Sequence, residues 1–180
     1  MPPKPYLAPP FYPATPVADA TVRTLSIPGY YQARQYTCGF ASALMVLHYY
    51  RRFVPARTLY EQLGTDHTGT SQNAMVRELR AAGLAANIRY DLTLDSLRRA
   101  IDRNKLVIGY HHRLEHWVVL YGYGRDPDRI FVADPLQYYR HEHLWSYYGP
   151  KLRSFGIVCS PRRARRRSKP ELQVVAEAAA

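Results

Sequence analysis

The sequence predicts an α+β domain whose helices come first and whose antiparallel sheet follows. Two observations carry this. Helical patterns with their caps and stops fill residues 38–104, and three β-rich runs crowd into residues 106–135 with a tight-turn signal between the last two. At 180 residues, 47% hydrophobic and 13% aromatic, the chain is long enough for one domain with a real core.

The first twenty residues, MPPKPYLAPPFYPATPVADA, carry most of a proline-rich segment that cannot form helix or central strand, so residues 1–20 read as a disordered arm. The domain is expected over residues 21–160. VRTLSIPGYYQ offers a short strand leading to Gln32. After it, Ala41, Leu44, Met45 and His48 fall at i, i+3, i+4 and i+7, so a buried helix starts at Cys38. Pro55 opens a second helix that stops at Gly64. Ser71 caps a third, ended by Gly83. AANIRY reads as a strand and LDSLRRAIDRN as a further amphipathic helix. LVIGYHH, HWVVLYGYG and RIFVADP are the β-rich runs, with Asp126-Pro127-Asp128 as the turn before the last. HLWSYYGPKLRSFGIVCS reads as a short helical turn and one more strand.

Composition removes several classes of function. Cys38 and Cys159 stand far apart in ordinary apolar sequence, so neither a disulfide framework nor a thiolate metal site is implied, and a reducing, cytoplasmic location is expected. The N-terminus lacks the apolar stretch of a secretion signal, and no apolar run is long enough to span a membrane. Of the formal charge of +11, residues 161–180 contribute six basic residues against Glu171 and Glu177, a basic disordered tail of net +4. Such a tail suits a solvated terminus, an acidic partner or nucleic acid.

The chemistry centres on Cys38, in the first turn of its helix. Unpaired N–H groups and the helix dipole there stabilise a thiolate, and Gly39 leaves room for a substrate backbone. Thiolate catalysis also needs a base, a group that orients it, and donors for the oxyanion. His116 opens one strand and Asp134 ends its antiparallel neighbour, so the pairing brings them together. Gln32, six residues before Cys38, can return its amide as an oxyanion donor beside the backbone N–H of Cys38, whereas Gln35 is too close to fold back. His111, His112, His116, His141 and His143 raise the question of zinc. Adjacent strand residues face opposite ways, however, and no metal-binding motif accompanies them, so no metal or cofactor is expected.

Gln-x5-Cys-Gly before an apolar helix ending in Tyr-Tyr, a GT…G loop, HWVVLYGY and FVADP together resemble the papain-like cysteine peptidases of the bacteriocin-processing type. These are double-glycine leader peptidases, and the class includes stand-alone domains. The resemblance spans about Ile27 to Tyr148 and includes the 78 positions from Cys38 to His116 and the 18 from there to Asp134. It implies a papain-like fold, with Cys38 as nucleophile, His116 as general base and acid, Asp134 as orienting carboxylate and Gln32 as oxyanion donor. It further implies hydrolysis of peptide or peptide-like amide bonds in a peptide or protein substrate, with cleavage after small residues. Phe40 departs from the pattern, which often has a small residue there. The same triad would serve an acyltransferase of the transglutaminase type, and a non-catalytic peptidase-like binding module is the remaining alternative.

Overall fold

The computed structural model describes residues 6–7, 21–90, 92–136, 139–152 and 155–162. The expected basic tail lies outside these residues except for Pro161 and Arg162. Of the proline-rich arm only Tyr6–Leu7 is described, as a strand β1 antiparallel to β3 (Tyr30–Tyr31).

Helix α1 (Cys38–Tyr49) is apolar all round rather than along one stripe, and every residue from Cys38 to Leu47 is buried. A helix of that kind belongs inside the domain. Leu44, Met45 and Leu47 are fully covered, and truncating any of them to alanine would cost about 2–5 kcal/mol. At its far end His48 leaves the core and hydrogen-bonds the hydroxyl of Tyr30.

The other helices lie where their caps predict. Helix α2 (Ala56–Leu63) follows Pro55 and stops at Gly64, whose φ of 59° is the left-handed conformation that glycine adopts without strain. Helix α3 (Gln72–Ala81) starts under the Ser71 hydroxyl, which accepts from the N–H of Ala74. Helix α4 (Leu94–Asp102) begins with a reciprocal Thr93–Ser96 capping box.

Strands β2 (Val22–Thr24), β4 (Leu84–Arg89), β5 (Leu106–His111), β6 (His116–Gly124), β7 (Arg129–Asp134), β8 (Tyr139–Leu144) and β9 (Gly156–Pro161) form one antiparallel sheet. Its order is β4-β9-β5-β6-β7-β8, with β2 pairing the end of β6. Between β8 and β9 a short helix α5 (Trp145–Tyr148) leads into a 3-10 turn. Strand β6 is buried along its whole length, packed between neighbouring strands and helices α1 and α4. This antiparallel meander sets the start of β6 beside the end of β7, and α1 points its first turn at that edge. β8 had no counterpart in the expected elements: YRHEHL carries polar residues on both faces, as an edge strand can.

Candidate active site

Cys38 is the first residue of α1 and only 3% exposed. Thr37 precedes it at a position where a hydroxyl normally caps the helix. Here that hydroxyl donates to the carbonyl of Arg34 (2.9 Å) and accepts the N–H of Arg34 (3.1 Å), and no side chain caps α1. The first-turn amides beside the sulfur are thus left without a side-chain acceptor.

His116, 5% exposed, stands between Asp134 and Cys38. Its Nε2 lies 2.6 Å from Oδ1 of Asp134, and the Cys38 thiol is close enough to raise its pKa as well. Burial alone would lower the pKa of this imidazole; the hydrogen bonds to Asp134 and Cys38 and their charges outweigh it and hold the pKa up at about 9. At neutral pH the ring is therefore an imidazolium. Asp134 is pulled the other way. Burial favours its neutral form, but His116 and the Leu136 N–H, which donates to Oδ1 at 2.8 Å, keep it below the ordinary carboxylate value.

Gln32 reaches the loop leading to Cys38 but its amide is occupied: Nε2 donates to the carbonyls of Arg34 (3.0 Å) and Gln35 (2.9 Å). Its backbone N–H donates to the carbonyl of Pro135 at 2.9 Å, tying the approach to the nucleophile directly to the turn that follows Asp134.

The space above Gly39 is filled by protein, not left for substrate as the sequence led us to expect. A Cβ there would lie 2.6 Å from Cβ of Thr70 and 3.0 Å from Cδ1 of Trp117. Gly39 is needed because helix, loop and strand converge on it. Trp117 Nε1 donates to the carbonyl of Thr70 at 3.0 Å, and the Ser42 hydroxyl donates to that of Trp117 at 3.2 Å. These bonds seat the 65–70 loop against α1 and β6. Thr68 closes the loop on itself through Oδ1 of Asp66.

Cys38 opens into a cleft of about 360 Å³ whose walls include Tyr36, Thr70, Tyr110, Glu115 and Trp117. Beyond Thr70, Tyr110 and Trp117 a second recess of about 220 Å³ extends to Gln72 and Phe155. The three rings pack edge-on or stacked with centroids 4.8 to 6.0 Å apart. One wall of the groove is thus aromatic and the other polar, a shape suited to an extended chain. Sequence reasoning singled out Cys38 and His116 but not Thr70, Tyr110 or Trp117. Trp117 follows His116 directly, and alternation, which sends neighbours on a strand to opposite faces, hid it as a residue of the same site.

Three of the other histidines gather around Tyr148. His143 stacks on its ring at 4.4 Å, His111 meets it edge-on at 5.5 Å, and His141 stacks on His143. Among the described residues no group of histidine, cysteine and carboxylate side chains is arranged to hold a metal ion. No helix among them is long and apolar enough to cross a membrane.

Comparison with curated proteins returns no match. Solved structures share the fold. A double glycine motif protease from an AMS/PCAT transporter, in complex with the leader peptide, aligns with TM-score 0.64 and 22% identity over 77% of this chain and 94% of that one. The peptidase domain of Streptococcus ComA, a bifunctional ABC transporter of a quorum-sensing pathway, aligns at 0.60 and 18%, covering 73% of this chain and 96% of that one. A C39-like peptidase from Bacillus anthracis aligns at 0.65 and 14%, covering 78% and 98%. The Peptidase C39-like family matches residues 24–155, a span that takes in Gln32, Cys38, His116 and Asp134, and the chain therefore belongs to that family of cysteine peptidases.

Proposed function

We propose that this cysteine peptidase uses Cys38, His116 and Asp134 as its triad to cut peptide bonds after small residues in a leader-type peptide. The observation that carries the proposal is the His116–Asp134 hydrogen bond with the Cys38 thiol beside the same imidazole, at the mouth of an uncapped helix. The thiolate adds to the carbonyl carbon, forming a C–S bond and moving the π electrons onto oxygen. Backbone N–H groups of the first turn of α1 receive that oxyanion, joined by Gln32 once one of its N–H groups passes from a loop carbonyl to the substrate. His116 then protonates the leaving amine as the C–N bond breaks. In the second half, His116 takes a proton from water, which attacks the thioester, and loss of the thiolate leaves a carboxylate product. Asp134 stays ionised throughout and steadies the imidazolium.

The fold's likeness to a protease bound to a leader peptide supports a peptide substrate, and cleavage after small residues is what the family resemblance implies. Both thiols are free, which suits a reducing, cytoplasmic location. The test is labelling by a thiol-directed electrophile with hydrolysis of a peptide carrying Gly-Gly. Cys38→Ala should lose both while unfolding at the wild-type temperature. Cys159 is fully buried and its thiol pushed far up by desolvation, so it should stay unlabelled in the native protein. Labelling of Cys159 in place of Cys38 would overturn the assignment.

A further inference from the structure

A separate cavity, of about 170 Å³, opens between α4 and the β4–β9 edge of the sheet, with Arg89, Arg99, Arg103 and Lys105 around it. None of these four has a hydrogen bond or ion pair from its side chain to another described residue. Several basic side chains elsewhere on the surface are matched. Arg23 pairs with Asp102, Arg57 with Glu61, Arg77 with Glu78, and Arg129 with Glu142. The contrast is sharpest within α4, where Arg98 is held by both Asp95 and Asp128 while Arg99 beside it pairs with no described residue.

Arg99 and Arg103 fall at i and i+4, so one helical face aims two guanidinium forks at the same space, while the Ser96 hydroxyl beside them is held in the capping box. The C-terminal end of α4 offers about half a negative charge, too little to account for four cations. Leu92 and Ala100, both buried, add apolar surface to the lining, beside which charge pairing is screened less than in open water. Guanidinium groups match tetrahedral oxyanions with paired N–H bonds, and several such groups around a small cavity select a compact, highly charged ligand over a dispersed one.

We propose that this cavity is a binding site for a compact, multiply charged oxyanion of the phosphate or pyrophosphate kind. It lies apart from the cleft that holds Cys38 and shares no lining residue with it. The test is calorimetric titration of the full chain with inorganic pyrophosphate at physiological salt. One saturable site per chain is expected, weakened by added salt and at least tenfold weaker in the double variant Arg99→Gln, Arg103→Gln. Both residues are exposed, so the variant should fold, which its melting curve would verify. The variant Arg165→Gln, Arg166→Gln, Arg167→Gln separates the cavity from the basic tail and should bind as wild type does. Competition by phosphatidylglycerol vesicles would assign the anion to a lipid headgroup, and its absence to a free anion. No saturable binding, binding unchanged in the cavity variant, or binding lost only in the tail variant would overturn the proposal.

Discussion

His116 and Asp134 stand diagonally across the β6–β7 ladder, and they share a face of the sheet because Tyr121 is inserted between them. Next to the turn the ladder pairs Gly124 with Arg129, Tyr123 with Ile130 and Gly122 with Phe131; past the insertion it pairs Leu120 with Val132 and Val119 with Ala133. Carried on unshifted, the register set by the turn would put Asp134 opposite Val119, whose side chain points away from the face His116 uses. The bulge puts Asp134 opposite Val118 instead, with His116 two residues on and within reach. The contact between base and carboxylate therefore depends on one extra residue in the middle of β6.

Asp134→Asn keeps the shape and removes the charge that holds His116 protonated. The alkaline limb of kcat/KM in the wild type should lie near pH 9, where the imidazolium is lost. In the variant it should move toward the ordinary imidazole value, with kcat/KM falling about 10²-fold, the lower end of what a positioned acid–base group contributes. A pH–rate series on both proteins checks this. A drop in rate with an unmoved limb would mean that Asp134 only packs against the ring.

Gly39→Ala should be harmful although alanine favours helix. Its methyl group would lie 2.6 Å from Cβ of Thr70 and 2.7 Å from its Oγ1, so the 65–70 loop or Trp117 must give way. Overpacking of this kind costs about 1–3 kcal/mol, and the displaced residues line the cleft. A lowered unfolding temperature together with a raised KM is expected; a stability gain would contradict the contact.

Much of this was legible in the residues. Apolar spacing after Cys38, the stops at Gly64 and Gly83 and the cap at Ser71 each act within a few residues, and the structure has them there. His116 and Asp134 were legible as a strand start and a strand end, but not their shared face. Pairing ends says nothing about register, and no residue in HWVVLYGYG advertises a bulge at Tyr121. Strand β8 was hidden for another reason. Arg140 and Glu142 alternate with histidines, so no apolar face marks it, and only its seat against β7, with Arg129 bonded to Glu142 at 2.7 Å, makes it a strand. The basic cavity joins Arg89 to α4 from a strand nearby in sequence but across a fold contact, which charge counting along the chain cannot show.

Gln32→Ala separates two roles for one side chain. If the amide serves the oxyanion, kcat should fall by about 10²-fold with KM little changed, as for removal of an oxyanion donor. If it serves only the carbonyls of Arg34 and Gln35, stability should fall by about 1 kcal/mol per lost bond while kcat holds. Steady-state kinetics beside urea unfolding of the same variant distinguishes the two.

Stability should carry the signature of the His116–Asp134 pair in its pH dependence. The folded protein holds His116 protonated up to about pH 9, whereas the unfolded chain releases that proton near 6.5. Below 6.5 both states are protonated and the contribution is complete; between 6.5 and 9 the unfolded state gives up its proton first and the contribution drains away, by about 3 kcal/mol in all. Asp134, held below its ordinary value, acts at the other end, its contribution intact above that value and lost as the pH falls through the folded one. Urea unfolding at closely spaced pH values should therefore show stability declining from pH 6.5 to 9 in the wild type and a flatter course in His116→Asn. A wild-type curve as flat as the variant's across that interval would mean that the imidazolium is not held by its neighbours, and the charged pair on which the proposed triad depends would be absent from the resting protein.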